Sequence, residues 1–400
     1  MIRLNKYDQL TIKSGSLNVL PFNEKPFSEV SISFLNDLSK SLRLSEEVII
    51  YPDLMSFSFW CRQGNIKKLK SKYEDIDGRI GRGIAFHIAP SNVPLNFGYS
   101  FIFGILSGNG NIIKIPSKLF PQTEFLNSKI KELFKLKEYK TLKRSNAFIK
   151  YDKEDHITKY LSSLCDIRIV WGGDKTINNI RQFQIPVRSI DIAFSDRYSI
   201  CIIDAKKLSK LDKSAFSKVI ELFYNDTFFM DQNACSSPHI VFWIGEKDNY
   251  KIKNYFWEAL AKYVNDKYSL DYNIANEKYN RLCKLAIELN NQIKYRNYNN
   301  NIYRISLNNL PKNIDKYKGN SGYFFEYNIS TLNDISHIIN TKYQTITYFG
   351  ISKSLLLDFV KSNKLSGVDR IVPIGQALDI GLLWDGYDII KTLSRIISFN

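Results

Sequence analysis

Residues 81–117 read GRGIAFHIAPSNVPLNFGYSFIFGILSGNGNIIKIPS and decide the fold class of the chain. The apolar run Ile84–Ile88 predicts a buried strand, and Pro90 and Pro94 mark the turn that follows it. The apolar stretch after this turn predicts a buried helix, and NIIKIPS predicts a second strand beyond the turn GNGN. A strand, a helix and a strand in this order are typical of a parallel βαβ unit.

The same alternation continues downstream. The sequence predicts a helix over Pro121–Lys137, a strand over Ala147–Tyr151, a helix around His156–Leu164 and a strand over Ile167–Trp171. Repeated units of this kind favour a mostly parallel, doubly wound sheet. Amphipathic runs before residue 75 predict helices in that region as well.

The second half of the chain carries its own strands and helices. SICIIDA and HIVFWIG predict two strands that bracket a helix over Lys213–Tyr224 and the segment NDTFFMDQNACSSP. The Asn-rich section Asn254–Asn300 is predicted to be helical, and strand-like and turn segments follow it. A chain of 400 residues is long enough for two or three folded units.

The composition is that of a globular protein, with 44% apolar and 24% charged residues. Basic residues exceed acidic ones by 56 − 40 = 16, which suits a nucleic acid, an anionic membrane face or an anionic small substrate. Five cysteines without a CxxC pair argue against a disulfide framework or structural zinc and favour reduced thiols. The apolar stretch Val93–Gly108 is too short to span a bilayer, and the N-terminus lacks a signal-peptide core, so we expect a cytoplasmic protein.

Two segments carry candidate chemistry. WGGD (Trp171–Asp174) leads from a strand into a helix, where two glycines would let the backbone approach a phosphate; a simple turn is the commoner meaning of such a pair. Neither GxGxxG nor GxxxxGK[ST] is present. Cys235 stands in the polar, turn-forming DQNACSSPH, which would expose a nucleophilic thiol, although a buried inert cysteine is the commoner case at any one position. His239 and His87 are weaker candidates for proton transfer.

Together these segments resemble the aldehyde dehydrogenase superfamily and, more closely, its acyl-CoA reductase branch, the LuxC-type fatty acid reductases. The resemblance runs from about Gly81 to the C-terminus. HIAPSNVPLNF is similar to the superfamily element PWNFP and implies that Asn92 is the oxyanion-binding asparagine. NIIKIPSK is similar to NVVLKPSE and implies that Lys114 contacts the cofactor ribose, with Ser117 and Lys118 beside it.

The remaining motifs follow in the order of the family. WGGDKTINNIR resembles the turn under the cofactor pyrophosphate and implies that Gly172 and Gly173 bind the cofactor. DQNACSSP resembles the segment of the catalytic cysteine and implies that Cys235 is the nucleophile. YQTITYFG and DRIVPIGQALDIGLLWDGYDIIKTLSRI resemble the reductase branch in particular. Glu326 in GYFFEY is the nearest counterpart of the glutamate that holds the nicotinamide ribose.

Two departures from the superfamily pattern favour reduction and NADPH. Ungapped matching places Phe194 where the superfamily has the glutamate that activates water, so an acyl-cysteine would persist long enough to be reduced. Where the superfamily has an acid that accepts the adenosine ribose hydroxyls, Lys118 would instead bind a 2′-phosphate. A Lys118 side chain that points to solvent and selects nothing is the alternative.

The resemblance implies an aldehyde dehydrogenase-like α/β fold, with a doubly wound parallel-sheet cofactor domain and a second α/β catalytic domain. We expect a helical region and the dinucleotide-binding domain over 1–204, the catalytic domain over 205–372, and a segment over 373–400 that packs back on the cofactor domain. The implied reaction is NADPH-dependent reduction of an acyl-CoA or acyl-protein thioester, usually fatty acyl, to the aldehyde, without a metal.

A homo-oligomer and an acyl-activating partner enzyme are expected from the same resemblance. Two other functions stay open from the residues. One is an acyltransferase that uses the same acyl-cysteine, against which the cofactor-site lysines and the WGGD turn argue. The other is a basic nucleic-acid-binding protein, which no helix-turn-helix, zinc-finger or RNP pattern supports.

Overall fold

The computed structural model describes residues 1–91, 93–245, 249–289 and 292–398. The chain folds into two compact units, of which the first contains Met1–Ser195 and the C-terminal residues from Tyr387, and the second contains Asp196–Gly386. The units thus divide before the strand Tyr198–Asp204, because that strand is an interior member of the second unit's sheet. The sequence-based boundaries at 204 and 372 fall inside the second unit, and their functional assignments stay predictions.

The first unit is built on a six-stranded sheet. Its neighbouring strands pair in parallel, except that the edge strand Thr11–Gly15 is antiparallel to Asn146–Lys150. In spatial order, the strands are Thr11–Gly15, Asn146–Lys150, Gly110–Lys114, Ile84–Ile88, Ile167–Trp171 and Ile190–Phe194. The mostly parallel sheet that the sequence predicts is therefore confirmed.

The strand Ile84–Ile88 is buried along its whole length, as expected for a parallel strand that is covered on both faces. It pairs with Gly110–Lys114 on one side and with Ile167–Trp171 on the other. The strands that follow it in the chain are therefore added first on one side of it and then on the other. Such a switch point opens a crevice at the carboxyl ends of the strands, where ligands bind in doubly wound folds.

The first unit has helices in its N-terminal part and between the strands of this sheet. They are Glu29–Arg43, Glu47–Ile50, Pro52–Trp60, Gln63–Lys70, Asn96–Leu106, Pro121–Leu133, Lys140–Ser145, Asp155–Ser162, Asp174–Arg181 and Ile389–Leu393, with a 3-10 turn at Lys137–Tyr139. Short strands pair at Ile2–Arg3 with Asn18–Val19 and at Arg79–Gly81 with Ser394–Ile396. Among the described residues, no helix combines the length and apolarity that crossing a bilayer requires.

His87 is fully buried in the first unit and serves its packing. Its Nδ1 lies 2.7 Å from Ser100 Oγ, and its Nε2 lies 2.9 Å from Asn111 Oδ1. Because an amide oxygen only accepts, Nε2 carries the proton and Nδ1 accepts from the serine hydroxyl. Burial lowers the pKa of His87 to about 4, so the ring is neutral, and both of its nitrogens are engaged within the core.

The second unit contains a seven-stranded sheet. Its neighbouring strands pair in parallel, except that Ile293–Tyr298 is antiparallel to Ile302–Leu307. In spatial order, the strands are Ile293–Tyr298, Ile302–Leu307, Tyr323–Ile329, Pro238–Ile244, Tyr198–Asp204, Tyr343–Phe349 and Arg370–Pro373. The helices are Ala205–Leu208, Lys213–Thr227, Tyr250–Lys267, Tyr272–Glu288 and Lys353–Ser362, with 3-10 turns at Phe228–Met230, Ile314–Tyr317 and Leu332–Ile338.

The prediction of a helical section over Asn254–Asn300 is wrong at its end, because Ile293–Tyr298 is an edge strand. Its inner residues are exposed and polar, so the apolar alternation that marks a half-buried strand is missing from the sequence. Asn299 and Asn300 adopt φ of 50° and 59° and turn the chain into the next strand. Asparagine tolerates this left-handed backbone better than most residues, and that was the available sign of a hairpin.

Glu326 anchors a buried polar cluster in the core of the second unit, where the residue is 6% exposed. Its Oε1 accepts hydrogen bonds from Arg304 Nε at 2.8 Å and from the Ser306 hydroxyl. Its Oε2 accepts from the indole N–H groups of Trp243 at 3.0 Å and Trp257 at 2.8 Å. The carboxylate is thus paired with a buried guanidinium and satisfied on both oxygens.

We expect Glu326→Gln to lower the free energy of unfolding of the second unit by about 3–5 kcal/mol, because it leaves Arg304 buried without its counter-charge. Urea unfolding followed by the fluorescence of the adjacent tryptophans measures the change. The control is Glu258→Gln, which removes a solvent-exposed pair with Arg296 and should cost about 1 kcal/mol or less. Equal losses in the two variants would contradict the structural role of the cluster.

Candidate active site

The loop that carries Cys235 lies between the helix Lys213–Thr227 and the strand Pro238–Ile244. Asp231 and Gln232 adopt φ of 50° and 56°, so the chain reverses direction immediately after the 3-10 turn that follows the helix. The backbone N–H of Gln232 donates to the backbone oxygen of Thr227 at 2.6 Å, and this hydrogen bond stabilises the turn. The sequence predicts a turn at this point, and the structure has one.

The Gln232 side chain, 1% exposed, fastens the loop to the neighbouring strand. Its Nε2 donates to Pro238 O at 2.9 Å and to Tyr323 O at 3.2 Å. Its Oε1 accepts from the backbone N–H groups of Gly322 at 3.1 Å and Tyr323 at 3.0 Å. These four bonds fix the position of the segment in which Cys235 lies.

Cys235 differs from the other cysteines in its surroundings. Cys61, Cys165 and Cys201 are buried and Cys283 is exposed, whereas Cys235 is partly accessible. Ser199 Oγ donates to Cys235 O at 2.7 Å, which ties the residue to the start of the strand Tyr198–Asp204.

The sulfur of Cys235 accepts a hydrogen bond from Gln344 Nε2 at 3.3 Å. The same nitrogen donates to Asp385 Oδ1 in a short contact. Gln344 is 1% exposed, so its amide is held within the protein and is not a mobile surface group. Cys235, Gln344 and Asp385 therefore form one hydrogen-bonded series within the second unit.

Burial of the sulfur among protein atoms, although part of the residue remains accessible, raises the pKa of the Cys235 thiol to about 12. The negative charge of Asp385 acts in the same direction. The hydrogen bond from Gln344 and the positive charges of Lys318 and Arg197 lower the pKa and partly offset the rise. In this resting arrangement the thiol is protonated at neutral pH, and its reactivity depends on groups that favour the thiolate.

Two cations near the site are paired with acids. Arg197 forms ion pairs with Asp369 and with Asp385, the latter at 3.7 Å between Nε and Oδ1. Lys318 pairs with Asp196 and also donates to Arg197 O at 3.2 Å. Sequence reasoning missed these charged groups, because Arg197, Lys318 and Asp385 are far apart in the chain and nothing in the sequence shows that they meet.

His239 does not serve as a base in this geometry. It is buried, and its ring stacks on Tyr198 with centroids 5.4 Å apart. Burial, with a contribution from the charge of Lys318, lowers its pKa to about 3. So weakly basic an imidazole is a poor acceptor for the proton of a thiol at neutral pH.

The predicted cofactor residues of the first unit lie at the carboxyl edge of its sheet. Lys114 ends the strand next to Ile84–Ile88, while Gly172 follows Trp171 at the end of the strand on its other side. Lys114 Nζ lies 3.9 Å from the Tyr151 ring centroid, and burial lowers its pKa to about 8. The topology thus brings Lys114 and the WGGD turn to the two sides of the switch point.

The glycines of this turn leave room for a ligand. A Cβ on Gly173 would meet no atom within 4 Å, and one on Gly172 would make only ordinary contacts with Thr176. Protein packing therefore does not require glycine at either position, which fits a backbone that a phosphate group approaches closely. Ser117 and Lys118 are exposed, and Lys118 Nζ lies 5.1 Å from the Phe120 ring centroid.

Three further predicted residues have different outcomes. Asn92 lies outside the described residues, so its oxyanion role stays a prediction. Phe194, 4% exposed, stacks on Trp171 with ring centroids 3.9 Å apart and brings no proton acceptor to that place. The hydrogen bonds to the Glu326 carboxylate come from its own core cluster, so a ribose would compete with Arg304 and the two indoles; its cofactor role stays a prediction.

Solved structures with a similar fold include several aldehyde dehydrogenases. The NAD-dependent benzaldehyde dehydrogenase of Corynebacterium glutamicum superposes with a TM-score of 0.63 at 10% identity over 98% of this chain and 95% of its own. Aldehyde dehydrogenase 21 of Physcomitrella patens gives 0.63 at 13% identity over 92% and 85%. The succinic semialdehyde dehydrogenase of Streptococcus pyogenes, solved with NADP+, gives 0.60 at 12% identity over 85% and 81%.

These similarities show an aldehyde dehydrogenase-like fold, as the sequence predicts. Among curated protein sequences, none matches this chain significantly. The model of the family described as acyl-CoA reductase (LuxC) matches residues 63–396. That match covers most of the chain and includes Cys235, Gln344 and the WGGD turn, so this protein belongs to the LuxC acyl-CoA reductase family and is an oxidoreductase with an aldehyde-related function.

Proposed function

We propose that this enzyme reduces an acyl thioester to an aldehyde through an acyl intermediate on Cys235, with NADPH as the reductant. The observation that carries the proposal is the setting of Cys235: a partly accessible residue whose sulfur accepts a hydrogen bond from Gln344, in a loop that Gln232 fixes. The other cysteines are either buried or, in the case of Cys283, exposed. Family membership supplies the reaction class.

The chain's own residues perform the acyl capture. The Cys235 sulfur attacks the carbonyl carbon, a new C–S bond forms, and the bond to the carrier sulfur breaks with release of the carrier thiol. Asn92 and the Cys235 backbone N–H are proposed to stabilise the developing oxyanion, and one such donor is worth about 2.7–4 kcal/mol of barrier. NADPH supplies a hydride when bound. Collapse of the resulting hemithioacetal restores the Cys235 sulfur and releases the aldehyde.

The acyl intermediate is proposed to resist hydrolysis. At the position of the water-activating glutamate, this chain has Phe194, which packs against the indole of Trp171. An aromatic ring cannot accept a proton from water, so hydrolysis of the thioester lacks its usual base at this position. Reduction to the aldehyde is therefore favoured over hydrolysis to the acid.

The cofactor is proposed to be NADPH, and the substrate a fatty acyl group on coenzyme A or on a protein. Lys118 is exposed just beyond Lys114, where a cation would attract a 2′-phosphate. We also propose a cytoplasmic homo-oligomer that receives acyl groups from an acyl-activating enzyme. An acyltransferase that uses the same acyl-cysteine is the second candidate, and it would need no NADPH.

With an acyl-CoA panel of graded chain length, we expect thioester-dependent oxidation of NADPH, followed by absorbance. Cys235→Ala should abolish it, because no acyl intermediate forms. The matched control is Cys283→Ser, which changes an exposed cysteine and should retain the activity of the unchanged chain. Acyl transfer to an added thiol without NADPH oxidation would favour the acyltransferase instead, and activity in Cys235→Ala would refute the proposed nucleophile.

For Lys118→Glu, we expect kcat/KM with NADPH to fall about tenfold, since a charge-assisted contact of about 1.4 kcal/mol is lost and an acid now faces the phosphate. The value with NADH should stay the same or rise. Lys135→Glu, a change of equal charge at another exposed lysine of the first unit, should leave the NADPH preference within twofold. A parallel fall with both cofactors would show that Lys118 does not select the 2′-phosphate.

A further inference from the structure

The Gln344 amide connects the sulfur of Cys235 to the carboxylate of Asp385, a residue to which the sequence analysis assigns no role. Nε2 donates to Cys235 Sγ at 3.3 Å and to Asp385 Oδ1 in a short contact. Gln344 and Asp385 are both buried, since Gln344 is 1% exposed and the Asp385 side chain is 4% exposed. An amide nitrogen carries two protons, so it can donate to both neighbours at once.

The orientation of this amide follows from its neighbours. A carboxylate only accepts hydrogen bonds, so an amide oxygen placed beside Asp385 would face another acceptor and be repelled. With the nitrogen on that side, Oε1 is free to accept from Thr345 Oγ1 at 3.2 Å. An ionised Asp385 therefore keeps the N–H group, and not the carbonyl oxygen, directed at the sulfur of Cys235.

Asp385 is itself held in place by the backbone and by charge. Asp385 and Gly386 adopt φ of 49° and 76°, a left-handed turn that aspartate and glycine both tolerate. Arg197 Nε lies 3.7 Å from Asp385 Oδ1, which is an ion-pair distance and not a hydrogen bond. The guanidinium also pairs with Asp369, and together these groups fix the carboxylate beside the amide.

The direct effect of Asp385 on the sulfur is unfavourable. Its negative charge raises the pKa of the Cys235 thiol, whereas the hydrogen bond from Gln344 lowers it. Lys318 and Arg197 are the cations that oppose the carboxylate at this site. A carboxylate beside a nucleophilic thiol therefore needs a compensating role, and the orientation of the Gln344 amide supplies one.

We propose that Gln344 is a catalytic hydrogen-bond donor that stabilises the Cys235 thiolate, and that Asp385 is a positioning residue that holds its amide in the donating orientation. The proposal rests on the role of Cys235 as nucleophile. In the attack on a thioester, the thiol gives up its proton, the Gln344 N–H stabilises the anionic sulfur, and that sulfur forms the new bond to carbon. The bond to the carrier sulfur breaks, and the carrier leaves as a thiol that takes up the proton. Gln344 lies in YQTITYFG and Asp385 in GLLWDGYD, the two segments typical of the reductase branch.

Alkylation of Cys235 by iodoacetamide tests this without cofactor or thioester, so it does not depend on reductase activity. The background is Cys283→Ser, which removes the exposed thiol, and peptide mass spectrometry follows Cys235 from pH 7 to 9. We expect Gln344→Ala to lower the rate constant about tenfold at each pH. Gln344→Glu, of the same size but without the donor, should lower it at least as much. Gln184→Ala, at an exposed glutamine, is the control and should stay within twofold.

A double-mutant cycle tests the role of Asp385. In the Asp385→Asn background, whose asparagine tolerates the same left-handed turn, the amide is no longer held and Gln344→Ala should lower the rate less than threefold. In the Gln344→Ala background, Asp385→Asn should raise the rate, because only the repulsion of the thiolate is removed.

The outcomes separate cleanly. An equal effect of Gln344→Ala in both backgrounds would overturn the positioning role, and a rate unchanged by Gln344→Ala and by Gln344→Glu would overturn the donor role. Slower alkylation in these variants, with no NADPH oxidation in the unchanged chain, would uphold the inference and refute the proposed reaction alone.

Discussion

The parallel register of the second sheet brings the groups around Cys235 together. Ser199 pairs with Pro238, and Tyr198 pairs with Tyr343, so three strands begin at one edge. Because parallel strands all start on the same side, residues that are far apart in sequence become neighbours there. Cys235 precedes one of these strands, while Ser199 and Gln344 lie near the beginnings of the other two. The polar surround of the thiol depends on this register.

The chemistry proposed for the site rests on how this edge balances charge around the sulfur. Burial and Asp385 disfavour the thiolate, whereas the Gln344 amide, Lys318 and Arg197 favour it. Such a thiol is protonated at neutral pH, and its nucleophilicity depends on the groups that favour the thiolate. In the first unit, the carboxyl edge of the sheet offers a separate set of features, namely open glycines and Lys114, which suit a nucleotide.

The sequence predicted the fold well where the apolar pattern is strong. Buried strands such as Ile84–Ile88 are continuous apolar runs, and their order along the chain fixed the parallel sheet. It failed at Ile293–Tyr298, since an exposed edge strand carries no apolar alternation. The motif predicted Cys235 as the nucleophile, and that role stays a prediction. The sequence assigned no role to Gln344 or Asp385, because the contact of Gln344 with the thiol and that of Asp385 with Gln344 depend on how distant segments are placed in the fold. For Glu326, the motif predicted a cofactor contact, but the sequence did not reveal the buried guanidinium of Arg304 beside it.

The proposed reaction depends on an acyl group bound to Cys235, so we would first trap this intermediate. The enzyme would be mixed with a long-chain acyl-CoA in the absence of NADPH, and intact-protein and peptide mass spectrometry would locate the acyl group. We expect one acyl group on the peptide that contains Cys235, removable by hydroxylamine and absent from Cys235→Ala. An acyl group on another residue, or NADPH-dependent aldehyde formation by Cys235→Ala, would contradict it.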